Sequence, residues 1–187
     1  MPNLLVVSYS RTGTTSRIAR ELADQLGADF ERIEEIENRA GVVGFLISAL
    51  ESLAKGLPAI RTVKDPHQYD LVVVGTPVWV GSMASPVRAY LEAHRTRLPR
   101  VAFFATMRAR GAEDALREMK FLCRANAAAS CAFTEAEVKN LRYLHKLANF
   151  ANALSRVQRQ VRKPVSPVAD ASTWVGEAEP VGELAPT

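Results

Sequence analysis

Hydrophobic and polar positions alternate along this chain in two rhythms, one of strands and one of helices. Leu4 to Val7 is a continuous apolar run of strand length, as in a strand covered on both faces. From Thr15 the spacing changes: Ile18, Ala19, Leu22, Ala23 and Leu26 recur at helical intervals, and Gly27 supplies a C-terminal stop. Ala28 to Glu34 reads as a polar edge strand, and Val43, Leu46, Leu50, Leu53 and Leu57 predict a helix closed by Pro58. Leu71 to Val74 is a second buried strand, running out into Gly75-Thr76-Pro77-Val78-Trp79. Ser85 before Pro86 reads as an N-cap followed by a first-turn proline, opening a helix to about His94. Val101 to Ala105 is a third buried strand and Ala112 to Arg124 a helix. Ala127 to Phe133 gives a fourth buried strand, although alanine is a poor strand former. Leu141 to Arg162 reads as one long helix with Leu144, Leu147, Ala151, Leu154 and Val161 on one side.

Strands alternating with helices predict an α/β fold, a parallel sheet with helices on both faces. The 187 residues suit one domain, assigned to residues 1–162. Residues 163–187 hold four of the ten prolines and little apolar periodicity, so they read as an extension outside the domain. Apolar stretches fall far short of the roughly 20 residues of a membrane span. The N-terminus shows no basic segment ahead of a cleavable apolar one, so the expectation is a soluble cytoplasmic protein. Cys123 and Cys131 lack metal-ligand spacing and read as reduced packing residues; the three histidines are scattered, which speaks against a metal site. The formal charge of +4 suggests weak attraction to polyanions, but the arginines are dispersed along helices and no nucleic-acid module is present.

Ligands bind an open parallel sheet beyond the carboxyl ends of its strands. Those segments are SYSRTGTTSR, GTPVWVGSMASP and TMRARGA. The first leads into a helix, whose opening N–H groups and positive dipole end make an anion site. Ser10, Thr12, Thr14 and Thr15 add hydroxyl donors, Arg11 a cation, and Gly13 lets the backbone approach closely. The loop carries no lysine and no GxGxxG pattern, so it is neither the phosphate loop of nucleotide hydrolases nor a dinucleotide fingerprint. The same hydroxyls also suit a cap cluster with no ligand. In the second segment, Trp79 either packs in the core or presents a stacking face; the turn-forming Pro77 and Gly81 favour presentation to a flat ring. The third segment supplies Thr106 and Gly111, with Arg108 and Arg110 between them. One loop suited to a phosphate and two suited to a flat ring describe a site for flavin mononucleotide (FMN).

These residues resemble the flavodoxin family. Ser10-Arg11-Thr12-Gly13-Thr14-Thr15 is similar to the family's phosphate loop of form [ST]-x-T-G-x-T, Gly75-Thr76-Pro77-Val78-Trp79 to its ring-stacking segment, and Thr106 to Gly111 to its second ring loop. The resemblance covers roughly residues 3–162. It implies a flavodoxin-like, doubly wound five-stranded parallel sheet of order 2-1-3-4-5 in three α/β/α layers, with one non-covalent FMN. It places the phosphate on Ser10, Arg11, Thr12, Gly13, Thr14 and Thr15. The ring then falls to Thr76, Pro77, Val78, Trp79, Val80 and Gly81, with Thr106, Met107, Arg108 and Gly111 on the pyrimidine side. Electron-carrier flavodoxins are usually acidic, whereas this chain is basic and carries arginines in its third loop.

The resulting expectation is an FMN-dependent NAD(P)H oxidoreductase passing electrons to a quinone or similar acceptor. No acid–base residue is demanded, because the flavin carries the chemistry. The alternative is a flavodoxin-type electron-transfer protein served by a reductase protein, and a homo-oligomer is compatible with either. A ligand-free signalling domain on the same fold is a third reading. A phosphoacceptor receiver is disfavoured, because Ser8 and Tyr9 stand where it would need paired aspartates.

Overall fold

The computed structural model describes residues 3–36 and 57–162. At its centre is a parallel sheet of β1 (Leu4–Ser8), β2 (Asp29–Arg32), β5 (Leu71–Trp79), β7 (Arg100–Met107) and β8 (Ser130–Thr134). Their order across the sheet is β2-β1-β5-β7-β8, which numbered along the chain is 2-1-3-4-5. A two-stranded antiparallel sheet pairs β3 (Glu34–Glu35) with β4 (Ile60–Arg61), and β6 (Ser82–Met83) folds back antiparallel on β5.

Burial on both faces explains the continuous apolar runs. Leu5, Val7, Val72, Val74 and Phe103 pack on one side against Tyr90 and Leu91 of α2 (Ser85–His94) and Leu116 and Met119 of α3 (Ala112–Cys123). On the other side Leu4, Val6, Val73 and Phe104 meet Ile18 and Leu22 of α1 (Thr14–Leu26) and Leu147 and Leu154 of α5 (Leu144–Arg162). Each such aliphatic side chain contributes about 1.5–3 kcal/mol on burial. Gly75 has a steric reason: a Cβ there would sit 2.1 Å from the Phe104 ring.

The first strand, first helix and third strand fall close to their predicted places. Elsewhere the chain departs from its pattern. β5 runs on through the Gly-Thr-Pro-Val-Trp segment to Trp79 and turns back as a hairpin, so that segment is strand and not open loop. Ser85 does not cap α2: Ala84 is the cap residue, and its N–H donates to the Thr76 hydroxyl at 3.0 Å. The long C-terminal helix is a single helix, α5, that begins at Leu144, later than the Leu141 expected; a short helix the pattern did not predict, α4 (Glu135–Lys139), precedes it across a turn in which Leu141 has φ 57°. Leu144, predicted on the buried side, is 48% exposed. β8 begins at Ser130, later than the Ala127 expected. The helix predicted over Val43–Leu57 and the segment 163–187 fall outside the described residues, apart from Leu57 itself, and so does the side chain of Val161.

A polar network fixes α1 to the turn before α5. The Tyr143 hydroxyl donates to both oxygens of Glu21, at 2.8 and 2.6 Å, and the Arg17 Nε donates to Glu21 at 3.0 Å. Thus the helix behind the hydroxyl-rich loop is held by its outer face as well as by its apolar one. Among the described residues no helix is long and apolar enough to cross a membrane.

Candidate functional site

β1 pairs with β2 on one side and β5 on the other, so the direction of winding switches beside β1. At a switch point the connections leave to opposite faces and open a crevice beyond the strand ends. The three segments singled out in the sequence emerge at this edge.

The hydroxyl-rich loop leaves β1 and enters α1 through Gly13, which is left-handed at φ 93°. The Ser10 hydroxyl is buried and accepts from the Gly13 N–H at 3.0 Å, closing the loop on itself. Arg11, Thr12 and Gly13 are exposed, Thr14 is half-buried and Thr15 is buried. No side chain caps α1, and its first turn holds no acid. Its opening N–H groups therefore stay available to an outside acceptor. A Cβ at Gly13 would meet nothing within 4 Å, so the space above the loop is open. By contrast, α3 starts from Gly111 with Glu113 and Asp114 in its first turn, which disfavours an anion there.

The second segment is a tight hairpin. Trp79 faces Ser82 in register, and the two residues between them, Val80 and Gly81, have φ 50° and 81°. Two positive φ values in a two-residue loop are the signature of a type I′ turn, which suits the twist of the flanking strands. Trp79 is half-buried and packs against the core, with the Tyr9 ring edge-on at 5.5 Å and 90°. Tyr9 itself is 8% exposed, and its pKa is pushed up to about 12, first by burial and then by the neighbouring Glu35 carboxylate. Pro77 and Val78 are half-buried and Val80 is fully exposed.

The third segment follows β7. Met107 and Gly111 are half-buried, whereas Arg108 and Arg110 are exposed and form no ion pair among the described residues. Gly111 touches the hairpin: a Cβ there would lie 3.0 Å from the Gly81 Cα and 3.1 Å from a Val78 methyl.

Three of the threonines have their hydroxyls engaged within the chain. Thr15 Oγ1 and Thr106 Oγ1 bond each other at 2.7 Å, tying the first segment to the third. The Thr76 hydroxyl donates to the Pro77 carbonyl at 2.9 Å while accepting from Ala84. Thr12 and Thr14 are the hydroxyls left facing outward or half-outward.

Sequence reasoning missed Tyr9, Arg32 and Glu118. The Arg32 guanidinium donates to the Ser10 carbonyl at 3.3 Å, fixing the loop from the edge strand. Glu118 accepts from Ser82 Oγ at 2.6 Å and from the Met83 N–H at 3.1 Å, and pairs with Arg88. Its one local signal is that it borders the buried stripe Ala115-Leu116-Met119 of α3.

No family model matches the chain. Solved structures with similar folds are flavoproteins. A flavoprotein from Lactobacillus acidophilus, in complex with FMN, matches 75% of this chain and 98% of its own at 21% identity and a TM-score of 0.58. A flavodoxin, WrbA-like protein from Agrobacterium tumefaciens matches 86% and 99%, respectively, at 16% identity and a TM-score of 0.51. An NADH:FMN oxidoreductase in its apo form matches 88% and 91% at 15% identity and a TM-score of 0.52.

Proposed function

We propose that this chain, whose fold is flavodoxin-like, binds FMN at the carboxyl edge of its sheet and works as an NAD(P)H-dependent oxidoreductase. The observation that carries the reading is the start of α1: an uncapped, acid-free helix N-terminus behind an open, left-handed Gly13, with Thr12 and Thr14 beside it. Backbone N–H groups and hydroxyls there suit a doubly charged phosphate monoester. Ser10 and Thr15 shape the loop through their own hydrogen bonds, and Arg11 adds a cation at the rim. The ring would lie against the hairpin Pro77–Gly81 and the segment from Met107 to Gly111.

When bound, FMN supplies the redox chemistry, accepting electrons from a donor and passing them on. The chain contributes phosphate capture, an aromatic wall at Trp79 and positive charge from Arg108 and Arg110. A quinone or similar small acceptor fits a site of this kind. The basic character of the chain and the exposed arginines of its third segment support this choice over an acidic carrier served by a reductase protein.

Fluorescence titration of apoprotein tests the cofactor. FMN is expected to bind more tightly than FAD or riboflavin, because the loop suits a terminal, doubly charged phosphate monoester, which the diphosphate bridge of FAD does not present and riboflavin lacks. Equal affinity for FMN and riboflavin would count against the phosphate site. Anaerobic mixing of the FMN-loaded protein with NADH or NADPH tests the activity: rapid bleaching of the flavin supports the enzyme. No bleaching by either nicotinamide, with ready reduction by a reductase protein, favours the carrier.

A further inference from the structure

The β5–β6 hairpin carries Trp79, and a two-residue return strand gives it little sheet to hold on to. What holds it is a carboxylate on another element. Oε2 of Glu118, on α3, accepts from the Ser82 hydroxyl at 2.6 Å and the Met83 backbone N–H at 3.1 Å. The other oxygen pairs with Arg88 of α2, and the Glu118 side chain is only 28% exposed. Hydrogen bonds to an ionised acceptor are roughly twice as strong as neutral ones.

Ser82 and Met83 are the register partners of Trp79 and Val78, so fixing β6 fixes the height and tilt of the tryptophan strand. The same helix begins at Gly111, which packs on Gly81. The hairpin and the third segment therefore ride together on α3. The helix does not need the carboxylate for its own attachment, since Ala112, Ala115, Leu116 and Met119 already bury its inner face. What Glu118 adds is the hairpin.

We propose that Glu118 is a positioning residue for the ring end of the cofactor site. It touches no reacting atom, and acts by holding Trp79 and the Gly81–Gly111 contact in one geometry. This rests on the FMN reading above.

The test uses the full chain, titrated with FMN and with riboflavin. Glu118→Ala is expected to raise both dissociation constants by about 10-fold, leaving their ratio unchanged because the phosphate loop is untouched. It is also expected to shift the absorption of the bound flavin. Glu118→Gln, whose amide oxygen can still accept from Ser82 and Met83, is expected to recover most of the affinity. Ser82→Ala removes one contact, keeps the Arg88 pair, and guards against a variant that fails to fold. Its effect on riboflavin binding is expected to fall short of additivity with Glu118→Ala. Wild-type affinity for both flavins and an unshifted spectrum in Glu118→Ala overturn the proposal alone. So does a loss confined to FMN, or strict additivity with Ser82→Ala. A wild-type chain that binds neither flavin overturns the cofactor reading, and this proposal with it.

Discussion

At the residue scale, the two roles open to Trp79 are no longer exclusive. It is half-buried, packed on the core and braced by Tyr9, so it contributes to the fold as well as facing the site edge. Trp79→Ala is expected to destabilise the apoprotein by about 1.5–2.5 kcal/mol, roughly half the cost of a fully buried aromatic. It is also expected to weaken FMN by about 10-fold through the lost stacking. Denaturation of apoprotein reads the first and flavin titration the second; an unchanged flavin affinity would assign Trp79 to packing alone. The arginines of the third segment belong to the same scale. Exposure limits each to the strength of a surface charge interaction, about 1 kcal/mol or less, which in a two-electron couple is about 20 mV. Arg108→Gln and Arg110→Gln are expected to lower the flavin potential by up to that amount, with the shift shrinking as salt is raised. If neither lowers it beyond measurement error at low salt, the arginines do not tune the flavin.

At the scale of elements, the hairpin turn carries a misfit. A β-branched residue in the left-handed region is strained, yet Val80 sits there with its side chain in solvent. Asparagine suits that turn position far better. Val80→Asn is therefore expected to stabilise the fold by about 1 kcal/mol, raising the melting temperature by roughly 2–4 °C. A fall in melting temperature would mean that Val80 makes a stabilising contact that its exposure hides. The misfit also explains why the hairpin was not legible: Trp-Val-Gly-Ser lacks the Asn-Gly or Asp-Gly signature and reads as open loop. The loop into α1 was legible because everything that defines it is local: an apolar run, hydroxyls, a glycine, then helical spacing. Ser85 was misread as a cap because the acceptor for Ala84 comes from Thr76, which no short-range rule links to it. The short helix α4, which the periodicity did not show, did have a local signal at its start. Thr134-Glu135-Ala136-Glu137 is a capping box, with the Glu137 N–H donating to Thr134 Oγ1 at 3.1 Å and the Thr134 N–H donating to Glu137 at 2.7 Å. Glu118 had almost none, because its partners lie 35 and 36 positions away.

At the scale of the whole molecule, the chain's four tyrosines report on the fold from separate places. Tyr9 follows β1, Tyr69 precedes β5, Tyr90 lies on α2 and Tyr143 opens into α5. Each has its pKa raised, with burial the leading cause. The next contributions are the Glu35 carboxylate at Tyr9, Asp29 at Tyr69, the charge of Glu31 at Tyr90 and Glu21 at Tyr143. Tyr9 and Tyr69 are pushed up to about 12, and Tyr90 further. A raised pKa means that the folded state holds its proton more tightly than the unfolded chain, where tyrosine titrates near about 10. The resulting stabilisation is complete below about pH 10 and is lost as pH rises through the folded values, so the chain weakens between about pH 10 and 12. Acid works with the opposite sign. Asp29 and Glu137 are held low by Tyr69 and Lys146, and their stabilisation is lost as pH falls through the lowered values. Asp29 is exposed and Glu137 half-buried, so that loss is modest. The molecule should therefore fail more sharply in alkali than these two groups alone would make it fail in acid. In an alkaline titration, tyrosinate absorbance is expected to stay low past the point where the urea-unfolded chain has ionised. It should then rise together with the loss of helical circular dichroism, because ionisation and unfolding are one event. Tyrosinate absorbance that climbs steadily through pH 10 while the circular dichroism holds would show the rings to be solvated, and would remove burial as the cause of their shifts.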